Sequence, residues 1–211
     1  MGWLMLYVIV LLVLAIVAKR NVSKLKGYVG ERRVVRKLRW LGKHYTSYHD
    51  VYVPKANGEL TQVDHIVTSP FGIFVIETKN YRGMIFGSEH DKYWTQMLGS
   101  HKFSFYSPIF QNRAHVNAVK YAVKRNVPIH SVIVFSNEAT LKLPTFEQAT
   151  VISLKHVRKQ LKQYDEPLIA SQELTAINEA LQQLMSQTMF EKWKKKRRHL
   201  KQLKRARVRS R

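Results

Sequence analysis

The segment from Val63 to Lys79, VDHIVTSPFGIFVIETK, constrains the fold more than any other stretch of the chain. Two apolar runs flank a Ser69-Pro70-Phe71-Gly72 turn, which reads as a hairpin of two strands. Side chains alternate along a strand, so Ile73, Val75, Glu77 and Lys79 share one face while Phe74, Ile76 and Thr78 share the other. Both faces are apolar until Glu77, the pattern of a strand covered on two sides. Charge at that depth is costly unless it is paired or bound to a metal. An antiparallel hairpin would set Asp64 beside Glu77, so that two carboxylates converge next to one lysine. Two readings follow: a buried ion pair at a sheet end, or a metal site with an adjacent cation. The second carboxylate favours the metal, because two acids against one lysine leave a net negative pocket. Phosphodiester cleavage uses a metal and a lysine in that arrangement.

The charge of the whole chain points to a polyanionic neighbour. Its 211 residues carry 36 Lys+Arg against 14 Asp+Glu, a net charge of +22. Nucleic acid and an acidic lipid surface both meet that description. There is no cysteine, which excludes disulfides and thiolate metal sites. The excess is uneven. Residues 190–211 hold 12 Lys/Arg and one acid, Glu191, so +11 sits in a carboxyl-terminal tail.

The amino terminus reads as a membrane anchor. No charge interrupts Trp3 to Ala18, and Lys19 and Arg20 follow directly. Eighteen helical residues reach roughly 27 Å, close to the thickness of a hydrocarbon core, with Lys19 and Arg20 able to snorkel. No basic segment precedes the apolar run, which argues against a cleaved signal peptide. The basic residues that follow it put the carboxyl side in the cytoplasm by the positive-inside rule. The expectation is a single-pass protein of the cell membrane with its domain facing the cytoplasm.

The expected organisation is an anchor at 1–18, a linker at 19–26, a domain at 27–163, a carboxyl-terminal helix at 164–190 and a polybasic tail at 191–211. A helix over 27–41 carries Val34, Val35, Leu38 and Leu41 on one stripe, with Glu31 leaning toward it. For Glu31 alone, a role as a helix-dipole partner is the plainer reading. Strands are expected at 51–53, 60–68 and 73–79, the first pair joined through Asn57-Gly58, with a short strand at 84–86. Pro108 opens a helix to about Lys124, as a proline in the first turn can. Strands at 131–136 and 150–153 and helices at 154–163 and 171–190 complete an α/β sheet with helices against it. Leu174, Ile177, Leu181, Leu184 and Met185 form the apolar stripe of the last helix.

Four blocks in order, GYVGE from Gly27, VDHIV around Asp64, FGIFVIETKNYRG from Phe71 and SPIFQNRAH from Ser107, resemble the nuclease-related domain, NERD. The chain is thereby similar to the PD-(D/E)xK nuclease superfamily, over about Gly27 to Lys124. The resemblance implies a restriction-endonuclease-like mixed sheet flanked by helices. It implies Asp64 and Glu77 as metal ligands, Lys79 as catalytic lysine, Glu31 as a further acidic member and Gln111 as a neighbour of the active site. The Thr78 carbonyl, at the same strand end, would complete the coordination. Hard oxygen ligands suit Mg²⁺ or Mn²⁺.

His65 points away from Asp64 and reads as structural, while His115 shares a helix face with Gln111. Lys194, Lys195, Lys196, Arg197 and Arg198 in the tail are expected to bind nucleic acid, with anionic lipid an equal competitor. The leading expectation is a membrane-anchored, metal-dependent nuclease acting on DNA or RNA. Its rival is a non-catalytic module of the same fold that binds nucleic acid, lipid or a protein partner at the membrane.

Overall fold

A computed structural model of the chain describes residues 27–187, together with 3, 5–8, 25 and 190. The expected anchor at 1–18 lies mostly outside the described residues, and the basic cluster Lys194–Arg198 lies wholly outside them. Among the described residues no helix is long and apolar enough to cross a membrane.

The hairpin at the centre forms as its sequence requires. Strand β2 (Leu60–Ser69) pairs antiparallel with β3 (Gly72–Lys79), Ser69 facing Gly72 across the turn. The Ser69 hydroxyl donates to the Gly72 carbonyl at 3.1 Å and accepts the Phe71 N–H at 3.2 Å, closing the turn on itself. Gly72 has φ +140°, and a Cβ there would lie 2.7 Å from His130 Nε2, so only glycine fits. Strand β1 (Thr46–Pro54), longer than the expected 51–53, pairs antiparallel with β2 through a turn at Gly58.

Helix α1 occupies 27–38, three residues short of the expected end. Helix α2 (Pro108–Val123) starts as expected, with Pro108 in its first turn and Ser107 as cap. After α2, strands β7 (Ile129–Phe135) and β9 (Thr150–Ser153) extend the sheet in parallel, giving the order β1-β2-β3-β7-β9. The expected helix at 154–163 is a 3₁₀ turn (Leu154–His156) followed by the short α3 (Val157–Leu161). The last described helix, α4, covers 171–187.

Each face of this sheet is covered by a different pair of helices. On one, Ile66, Ile73 and Val75 pack with Val119 of α2 and with Ile177 and Leu181 of α4. Leu174, Leu184 and Met185 join that cluster, so the helical spacing of the last segment reports its buried side correctly. On the other face, Val34 and Leu38 of α1 meet Phe74, Ile76, Val132 and Val157. Strand β3 is therefore fully covered up to Glu77, as its unbroken apolar run implies.

A second sheet stands beside the first, where the sequence suggested only a strand at 84–86. Strands β4 (Gly83–Phe86), β5 (Tyr93–Leu98), β6 (His101–Tyr106) and β8 (Ala139–Lys142) run in the order β6-β5-β4-β8. Its inner face sets Ile85 and Trp94 against Ile133 and Phe135 of β7, with Trp94 stacked on Phe135 at 6.3 Å. The architecture is a mixed α/β fold of two sheets flanked by helices.

Candidate active site

The site is built where the central hairpin stops pairing. The β2–β3 register runs from Ser69–Gly72 to His65–Ile76 and ends there. One more step would set Asp64 opposite Glu77. Instead the strands separate, and Asp64 Oδ2 accepts the Thr78 backbone N–H at 2.8 Å. In an extended strand the N–H and C=O of one residue point to the same side, so the Thr78 carbonyl also lies on the Asp64 side of β3. Lys79, one strand period beyond Glu77, turns back to it. Its Nζ donates to Glu77 Oε1 at 2.7 Å and to Gln111 Oε1 at 2.8 Å. The remaining oxygen, Glu77 Oε2, is buried without a hydrogen-bond partner. It lies 3.4 Å from His115 Nδ1, which is likewise unpartnered.

Local sequence explains how each helix delivers its residue. Asn112 is fully buried and donates to the Val75 carbonyl at 2.9 Å and to Ser131 Oγ at 2.8 Å. That clamp sets the register of α2 on the sheet, and so sets where Gln111 and His115 fall. On the opposite side α1 approaches through Gly30, where a Cβ would come 2.6 Å from the Cβ of Asn80. The second glycine of GYVGE is therefore a close-approach glycine, and it brings the neighbouring Glu31 to the strand end.

The electrostatics are those of acids crowded away from water. Burial first, then the Glu77 charge, pushes Asp64 up to about 7, against the lowering effect of the Thr78 N–H and Lys79. Burial also raises Glu77, with Lys79 opposing. Glu31 is raised by burial, then by Asp64 and Asp50. Burial, reinforced by Lys79, lowers His115 to about 4, so it is neutral at pH 7 and its contact with Glu77 is not an ion pair. These shifts share one first cause, burial, which disfavours the charged form of each group.

The five sequence-identified residues Glu31, Asp64, Glu77, Lys79 and Gln111 thus meet at the end of β3. His65 faces the other way as expected, its Nδ1 3.1 Å from His49 Nδ1. Two contributors carry no motif. Asp50 sits at φ +56° where the β1–β2 ladder skips the Asp50–Asp64 step, and it accepts from Gln62 Nε2 at 2.6 Å. An aspartate tolerates that left-handed conformation better than the β-branched Val51 beside it would, but the sequence around it reads as an ordinary strand. Asn112 is the other, and its only signal is the adjacent Gln111.

The donor set suits a hard cation. Carboxylate oxygens, a strand-end carbonyl and an unpartnered Glu77 oxygen are the ligands Mg²⁺ or Mn²⁺ takes. Among the described residues no three Asp, Glu, His or Cys side chains stand close enough to hold an ion by themselves. A two-carboxylate arrangement completed by water fits Mg²⁺, which sheds its hydration reluctantly. Beside Lys79 a cleft of about 670 Å³ is lined by Val29, Arg33, Lys79, Arg82 and Gln96. It is open, and its lining also holds Glu138, which pairs with Arg33 at 3.3 Å.

A mixed α/β fold with an Asp and a Glu-x-Lys at the end of a central strand defines a nuclease-like protein. The family model described as nuclease-related domain matches residues 26–136, and the chain belongs to that family. A relative from Bacillus anthracis, described as an uncharacterized protein, is 35% identical over 176 residues, 82% of this chain and 83% of its own length. No solved structure matches the chain.

Proposed function

We propose that this protein is a metal-dependent nuclease of restriction-endonuclease-like type, hydrolysing phosphodiester bonds of DNA or RNA. The observation that carries the reading is the divided Glu77 carboxylate, one oxygen on Lys79 and the other buried without a partner, with Asp64 across the opened strands. Asp64, Glu77 and the Thr78 carbonyl would hold Mg²⁺ or Mn²⁺. When bound, the ion supplies Lewis-acid polarisation of a phosphoryl oxygen and makes water a better nucleophile. Lys79 places a fixed positive charge where negative charge develops on the phosphate, and Gln111 keeps its amine from swinging away. Neutral His115 keeps a second charge from forming against Glu77, while Glu31 and Asp50 add to the negative field that favours a cation.

The same reading includes an anchor at 1–18 that holds the domain at the cytoplasmic face of the cell membrane. It also includes a tail, with Lys194–Arg198, that binds nucleic acid. The apolar run and the flanking charges support the anchor; the density of basic residues supports the tail. Anionic lipid is the rival ligand of the tail. The rival is a module of the same fold without catalysis, binding nucleic acid, anionic lipid or a protein partner at the membrane.

Incubating the full-length protein in mild detergent with labelled DNA and RNA, in Mg²⁺, Mn²⁺ or EDTA, separates the two. Cleavage that needs the metal and disappears in Lys79→Ala is expected. No metal-dependent cleavage, or cleavage that survives Lys79→Ala, overturns the enzyme reading. Digestion of the domain by protease added outside intact cells would overturn the topology.

A further inference from the structure

The second sheet leaves its outer face to solvent, and the rings on that face form a row. Tyr93 and Tyr106 are partners across β5–β6, on the side opposite Trp94 and Phe105, and they are 58% and 44% exposed. Their ring centroids are 6.1 Å apart, and the Tyr106 ring is 6.4 Å from Phe110 in the first turn of α2. A cation caps each end: Lys92 Nζ is 5.9 Å from the centre of the Tyr93 ring, and Arg113 Cζ is 4.9 Å from that of Phe110. Phe110 directly precedes Gln111, which holds Lys79, so the row reaches the first turn of the helix that serves the candidate active site.

Charge along this face has one sign. None of the four strands carries an acid, and Lys102 and Lys142 stand on the same side as Tyr106. Glu89 and Asp91, on the loop before β5, are engaged by backbone N–H groups of Gln148 and Ser88, and Glu138, just before β8, pairs with Arg33. Single exposed apolar side chains need no explanation, but a contiguous row of rings with a cation at each end marks a binding surface. Rings that stack bases and cations that meet phosphates are the two parts of a single-strand binding surface. A duplex hides the faces of its bases within its own stack, so these rings can serve only unpaired bases.

We propose that Tyr93, Tyr106 and Phe110 form a stacking platform for an unpaired nucleic-acid strand, with Lys92 and Arg113 on its phosphates, leading that strand to Lys79. The proposal rests on the nuclease reading above and extends it to the strandedness of the substrate.

The test is fluorescence anisotropy of the full-length protein in mild detergent with EDTA, using labelled oligo(dT) and a duplex of equal length. Tyr93→Ala and Tyr106→Ala are each expected to weaken oligo(dT) binding by about 5- to 100-fold, with Tyr93→Phe and Tyr106→Phe retaining it and duplex binding nearly unchanged. Oligo(dT) affinity indifferent to both alanine variants overturns the platform. So does an equal loss for duplex and single strand, or lost binding to anionic vesicles with oligo(dT) binding intact. Cleavage is scored separately with Lys79→Ala. Tyrosine-dependent binding without any cleavage keeps the platform and removes the nuclease; Lys79-dependent cleavage with tyrosine-indifferent binding does the reverse.

Discussion

The two ends of the β2–β3 hairpin are built to opposite specifications. At the turn, Ser69 satisfies its own neighbours, Gly72 supplies the one conformation needed, and the ladder runs to the last residue pair. At the open end the ladder stops early, three acids are held above their ordinary pKa, and a buried carboxylate oxygen has no partner. The covalent framework is the same and the separation is a few residues. Local satisfaction stabilises the first end. The second gives up stability to keep charges available, as functional sites commonly do.

The widest test of that contrast is Phe74→Ala. Phe74 is fully buried near the turn and stacks on His130 at 5.0 Å, so its loss should cost about 3–5 kcal/mol in denaturant unfolding. A cost below 1 kcal/mol would mean that the turn half does not hold the fold. Next comes Gly30→Ala, whose Cβ collides with Asn80. It should cost about 1–3 kcal/mol and weaken Mg²⁺ binding measured by calorimetry, because α1 and Glu31 must back away. Unchanged metal affinity would disconnect α1 from the site.

Asn112→Ala should cost about 1–3 kcal/mol, since it leaves Ser131 without that partner and releases α2 from Val75. If the clamp sets the register of α2, any metal-dependent cleavage should fall as well. Stability lost with full cleavage retained would limit Asn112 to packing.

The smallest effect has the opposite sign. Asp64→Asn should stabilise the metal-free protein at pH 8 by about 0.5–2 kcal/mol while weakening metal binding. The folded pKa of Asp64 is raised from 3.8 to about 7, so the folded state keeps a proton that the unfolded chain has lost. Its contribution to stability is whole below about pH 4 and declines as pH rises toward 7. The gain from asparagine should therefore grow between pH 4 and 7 and level off above. Thermal melts of both proteins across that range check it; a gain largest at pH 4 would break the comparison.

Much of the first sheet was legible because its signals are local. The two apolar runs, the Ser-Pro-Phe-Gly turn and the proline at the start of α2 each bias a few neighbouring residues, and each element formed where expected. Strands β5, β6 and β8 were not legible. β6 is almost wholly exposed and half of β8 is, and short edge strands that turn only Phe105 or Ala139 and Leu141 to the core carry little alternation to read. The helix expected at 154–163 was shortened because only Leu154, Val157 and Leu161 reach the core, a stripe two turns long.

The sequence by itself determined which residues carry charge into the core: a Glu-x-Lys at the end of a two-sided apolar strand cannot be hidden by any fold that buries that strand. It also identified Asp64 as the acid across the turn, since hairpin register is a local property. Only the tertiary structure decided what meets them. Gln111 is 32 residues from Lys79 and reaches it because Asn112 pins α2 to β3, while Glu31 arrives because Gly30 lets one backbone close on another. Such contacts depend on packing between elements distant in the chain, and no periodicity within either element encodes them.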